Sequence, residues 1–103
     1  MLNSDFLKNK RDRYVNCLNN AVATANNLQM AIGILNSVIN VQNGSYKVDD
    51  GNADGSYLSR LKAKEERIYS NIVNNVIPGT QSIIDNLEYQ IADAEAEEAL
   101  EEQ

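Results

Sequence analysis

Side-chain chemistry needs a nucleophile, a base or a set of metal ligands, and this sequence offers few of them. No histidine occurs among the 103 residues, which removes the commonest general base and a common zinc ligand together. Cys17 is the single cysteine, so an intrachain disulfide is excluded. With no imidazole to activate it, Cys17 reads as a small half-buried hydrophobe. The Ser and Thr hydroxyls likewise lack a base. Glu65 and Glu66 sit among Lys62, Lys64 and Arg67 and read as a solvated charged face. No nucleophile, base and orienting group can be assembled, so no catalytic residue, no cofactor and no enzyme activity is expected.

Two spacings ask for more. Asp50-x-Asn52-x-Asp54-Gly55 matches the first half of an EF-hand calcium loop, with oxygen ligands at alternate positions and a glycine for the sharp turn. The twelfth position is Leu61, where a bidentate Glu is required. The favoured reading is a plain Asp/Asn/Gly turn that caps a following helix, with Asp50, Asn52 and Asp54 as the calcium alternative. Near the other end, Tyr89 and Asp93 form a Tyr-x-x-x-Asp motif. Residues four apart share a helix face, so both could be presented to one receptor. The plain alternative is an ordinary Tyr beside an ordinary surface Asp.

The elements that must carry these residues are helices. Leu7, Tyr14, Leu18, Ala21, Ala25, Leu28, Ile32, Leu35 and Ile39 recur at alternating steps of four and three, apart from one gap filled by Arg11. That is the period of a seam shared by packed helices. Val15, Val22, Met30, Ile34, Val38 and Val41 form a second stripe, read as a partner-binding surface. Small residues nearby, including Ala31 and Gly33, permit close approach. A first helix is expected over about 4–42, capped by Asn3 or Ser4. A Gly/Asp/Asn-rich loop follows over about 43–55.

A second helix is expected over about 56–96. Its seam is read through Leu58, Leu61, Ile68, Ile72, Val76, Ile83, Leu87, Ile91 and Ala94, with Tyr69, Ile77 and Ile84 flanking. Pro78-Gly79 interrupts it. Proline deletes one backbone hydrogen bond and crowds the carbonyl four residues earlier. Val76 to Ile83 is seven residues, which predicts a kinked helix with its phase kept. The rival is a true break with Thr80 capping a third helix. Matched arms of ~55–60 Å around one loop predict an all-α, antiparallel two-helix hairpin, one domain over 1–103. Residue 10 then lies beside residue 90, bringing Lys8, Lys10, Arg11 and Arg13 near Glu88, Asp93 and Glu95.

Composition agrees with a thin seam. Hydrophobic residues make up 43% but aromatics only 6%, with no Trp. A two-helix hairpin buries little surface by itself, so dimerisation or a helical partner is expected to complete it. Of the net charge of -6, all is carried by an acidic tail over 93–103, which holds Asp93, Glu95, Glu97, Glu98, Glu101 and Glu102; the rest of the chain balances. Phosphate binding needs a basic field, so neither nucleic acid nor an anionic membrane is an expected partner. The N-terminal stretch lacks the apolar core of a signal peptide, and no run reaches the ~18 apolar residues of a span. The expectation is a cytoplasmic protein without membrane insertion, with secretion by a route lacking a cleaved signal as the alternative.

A chain of about a hundred residues, read as a helix-loop-helix hairpin with Tyr89 and Asp93 near the end of its second helix, resembles the WXG-type family of type VII secretion. Ala53-Asp54-Gly55 stands where the family has Trp-x-Gly: Gly55 matches as the turn glycine and the tryptophan is absent. The longer loop, low aromatic content and acidic tail are more similar to the small WXG-like proteins encoded beside LXG toxins. The resemblance implies an accessory targeting factor or chaperone that binds the helical N-terminal domain of a secreted toxin. It also implies that Tyr89 and Asp93 serve as an export signal. A structural homo-oligomer, such as a phage or assembly component, uses the same stripe without needing that motif.

Overall fold

The computed structural model of the chain describes residues 3–45 and 53–102. Its elements are α1 (Ser4–Ser45), α2 (Ala53–Asn71), a π-helical turn (Ile72–Val76) and α3 (Ile77–Glu101). No strand occurs among the described residues. The second arm, α2 through α3, runs back along α1 as an antiparallel hairpin. The molecule measures 80 × 15 × 13 Å, and its radius of gyration is 22.6 Å, where a compact domain of this length has ~13 Å. Such a rod has one packing seam and no deep interior.

The first helix begins for a local reason. Asn3 caps α1, its side-chain Oδ1 accepting the Asp5 N–H at 2.7 Å. α1 runs through Asn43-Gly44-Ser45, and α2 takes in Ala53-Asp54-Gly55, so both arms extend into the expected loop. Gly55 is therefore a helical residue of α2, not a turn glycine. α3 extends to Glu101 instead of ending near 96. Ala, Glu and Leu dominate this stretch, and their high helix propensity carries the helix through the acidic tail.

The second arm passes Pro78 without breaking. The Ile77 N–H donates to the carbonyl of Ile72, five residues back. A wide π turn placed just before the proline relieves its steric demand, a recurrent cause of kinks. Thr80 is half-buried inside α3 and caps nothing.

The same turn resets the seam. It adds one residue, which turns everything beyond it by ~100° relative to a continuous α-helix. The inward positions are Leu58, Leu61, Glu65, Tyr69 and Ile72, then Ile77, Thr80, Ile84, Leu87, Ile91, Ala94 and Glu98. Val76 and Ile83 were expected inside and are exposed, at 41% and 42%; Ile68, expected inside, precedes the turn and is 52% exposed because Glu65 and Tyr69 take the inward positions of α2. Tyr69, Ile77 and Ile84, expected as flanking residues, take the seam instead, each one residue further along. On α1 the expected seam residues Tyr14, Leu18, Leu28, Ile32 and Leu35 are half-buried, as are Leu61 and Ile72.

Burial is concentrated at the end where the chain termini meet. Leu7, Leu87, Ile91 and Ala94 form one buried cluster, with Tyr14 packed against it.

Candidate docking surfaces

The termini are locked together by charge. Glu98 receives two hydrogen bonds from Ser4, at 2.8 Å from the backbone N–H and 2.9 Å from the hydroxyl. A carboxylate of α3 thus satisfies an orphan donor at the N-terminus of α1, where the helix dipole favours it. The backbone donor, then the Ser4 hydroxyl, then the charge of Lys8 hold the Glu98 carboxyl below its ordinary pKa. Lys8 pairs with Glu95 at 3.5 Å and Arg11 with Glu88 at 3.2 Å. The Arg11 pKa is raised, chiefly by its hydrogen bond to Asp12 and less by Glu88. These pairs set the expected register, with residues near 10 beside residues near 90. Ser4 and Glu98 were missed as partners because a capping residue normally lies in its own helix.

Tyr89 is 75% exposed, and Asp93 is exposed one turn further along α3. Asp93 also lies on the rim of a shallow groove with Leu7, Gln90, Ala94, Glu97 and Leu100. The second apolar stripe of α1 lies open: Val22 is 40% exposed, Met30 66%, Ile34 64%, Val38 40% and Val41 60%. Val15 is half-buried and belongs to the edge of the seam. Cys17, expected half-buried, is exposed. It faces solvent because its neighbour Leu18 takes the inward position.

Asp50 and Asn52 of the calcium alternative lie outside the described residues, and Asp54 is in the first turn of α2. Among the described residues, no three His, Cys, Asp or Glu side chains gather in a metal-binding group. No described helix is long and apolar enough to cross a membrane.

One feature of α1 escaped the motif reading because it is a lack of something. From Tyr14 to Tyr46 the sequence contains no Asp, Glu, Lys or Arg. The polar positions of this long helix are filled by Asn, Gln, Ser and Thr. Thr24 and Ser37 turn their hydroxyls back onto the carbonyls of Asn20 and Gly33, at 2.8 and 3.2 Å. The exposed stripe thus lies on a helix surface that is electrically neutral for most of its length.

No protein-family model, no curated protein and no solved structure matches the chain.

Proposed function

We propose that the chain is a non-enzymatic helical binding module whose partner is a helical protein docked along the outer face of α1. The observation that carries this reading is the stripe Met30, Ile34 and Val41, each at least 60% exposed on the stretch of α1 that holds no ionic group. An exposed apolar surface of this extent marks an interaction site. A neutral one favours a partner whose contacting face is itself apolar and uncharged, because burying an unpaired charge there is costly. The hairpin form and the Tyr89/Asp93 pair support a narrower version. In that version it is an accessory targeting factor or chaperone, packing on the helical N-terminal domain of an LXG-type toxin exported by type VII secretion. Tyr89 and Asp93 then stand clear of the packed surfaces, as a signal read by a receptor must.

Affinity capture of the tagged chain from its native cells, with Met30→Asp/Ile34→Asp and Tyr89→Ala/Asp93→Ala variants, tests both levels. The wild type and the Tyr89/Asp93 variant should retain one large protein with a helical N-terminal domain, and the α1 variant should lose it. Export of that protein should fail with the Tyr89/Asp93 variant. Capture that survives Met30→Asp/Ile34→Asp unchanged overturns the docking face. Unimpaired export overturns the signal.

A further inference from the structure

The residue added by the π turn has to be absorbed somewhere along the second arm, and the seam tolerates more than one place for it. On either side of the turn the phase is fixed. In α2 the inward Leu61 and Tyr69 are followed by Lys62 and Ser70, so a shift of one residue would set polar groups in their place. In α3 the inward Leu87, Ile91 and Ala94 are preceded by Asn86, Gln90 and Asp93, and the same holds. Between these limits the neighbours are interchangeable. Ile72 is followed by Val73, Ile77 is preceded by Val76, and Ile84 is preceded by Ile83. Thr80 is preceded by Gly79, an exchange that brings no polar side chain inward.

The seam can therefore change phase at either end of this segment. In the observed arrangement the wide step from Ile72 to Ile77 takes up the added residue. If α-helical pairing ran on through Val76 and Gly79 to Ile83, the residue would be taken up between Ile83 and Leu87 instead. Both arrangements keep α2, the buried cluster of Leu87, Ile91 and Ala94, and one π turn. They differ by a rotation of the segment between by ~100°. Ile83 has room to turn inward, because a recess beside it reaches Lys10 and Tyr14 of α1. Pro78 favours the observed arrangement. The π turn ends at Val76, so the proline falls in the first turn of α3, where its missing N–H and its ring are tolerated. With the π turn moved on, Pro78 would stand in a helix interior, short of one hydrogen bond and crowding the Asn74 carbonyl.

We infer that the π turn is a movable phase slip, and that Pro78 is the catch that holds it at Ile72–Val76. In its second position Val76 and Ile83 lie on the seam, and Ile77 and Ile84 come out to solvent. The middle of the second arm thus carries two apolar stripes and shows one at a time. A partner that covers one of them selects the arrangement that shows it. The device uses neither the outer face of α1 nor Tyr89 and Asp93, so it stands or falls apart from the reading of those surfaces.

Cysteine alkylation of the full chain, in a Cys17→Ser background, reads the rotation at two adjacent positions. Ile83 is 42% exposed and Ile84 6%, so Ile83→Cys should react fast and Ile84→Cys slowly. Releasing the catch with Pro78→Ala should move the two in opposite directions. Ile84→Cys should react at least ~10-fold faster and Ile83→Cys more slowly, while Leu87→Cys, at a site 4% exposed, stays protected. Deleting Asn75 as well removes the added residue and leaves nothing to slide, so Ile84→Cys should be protected again. If Pro78→Ala leaves Ile84→Cys as slow as before, the inference is overturned. It is overturned equally if Leu87→Cys speeds up in parallel, as general fraying would make it do, or if Ile84→Cys stays reactive after the deletion.

Discussion

The two ends of the hairpin are built on different terms. Where the termini meet, Leu7, Leu87, Ile91 and Ala94 are buried together, and three charged contacts staple α1 to α3. Toward the loop, no residue from Tyr57 to Asn71 is buried, and beyond Ala25 no side chain of α1 up to Val41 is buried. There the seam even includes Glu65, whose carboxylate oxygen Oε2 is buried without a hydrogen-bond partner. One end therefore holds the fold, and the other offers its apolar surface outward. Burial and apolar exposure are thus separated along a single rod, so the two ends should differ in local stability.

The largest test of that contrast compares equal deletions at the two ends. Leu87→Ala removes a side chain that is 4% exposed and should cost ~2–4 kcal/mol, since the cavity adds to the lost transfer energy. Ile34→Ala removes one that is 64% exposed and should stay within ~0.5 kcal/mol. Urea denaturation followed by circular dichroism, at a concentration where the chain is monomeric, reads both. Equal losses would mean that Ile34 is covered within the single chain and that the two ends do not differ.

A smaller effect is expected at the staple. The Glu98 carboxyl has its pKa lowered by Ser4, so the folded state holds the charged form more tightly than the unfolded chain does. A depressed carboxylate stabilises above its unfolded pKa, and the contribution is lost as pH falls through the folded one. The thermal midpoint of the wild type should therefore exceed that of Glu98→Gln at pH 7. The gap should begin to close below the ordinary value of 4.5 and vanish at lower pH. A gap of the same size at neutral and acid pH would assign the contact to shape alone and not to charge.

The hairpin and its register were legible in the sequence because steps of three and four leave a helix few choices, and because Lys8 and Arg11 had acids to meet at the matching distance. The kink was legible from Pro78. Its form was not. A π turn is a property of the backbone around a proline, and it leaves the seven-residue spacing from Val76 to Ile83 untouched in the sequence while moving both residues off the seam. Ile68, Val76 and Ile83 are as apolar as Tyr69, Ile77 and Ile84, so composition could not choose between two adjacent stripes. Of the candidate sites, the outer stripe of α1 was legible as surplus apolar residues. The exposure of Tyr89 and Asp93 followed from helix phase. The Ser4–Glu98 contact was not, because it joins residues ninety-four apart through a helix end that local patterns do not connect to the tail.

The finest test lies on α1 itself, at Gly33. This glycine is in mid-helix on the exposed flank next to Met30 and Ile34, and a Cβ there would meet nothing within 4 Å. Glycine in a helix interior loses more backbone entropy on folding than alanine does, so Gly33→Ala should stabilise the isolated chain by ~0.4–1 kcal/mol. A residue that lowers stability and fills no need within the chain invites an explanation from outside it. If a partner helix lies along this face, the added methyl stands in its path, and the same substitution should weaken capture of the partner while raising the thermal midpoint. Opposite signs in the two measurements would place the cost of Gly33 on the recognition side of the rod. A gain in both would move the docked helix away from Gly33, toward Val38 and Val41.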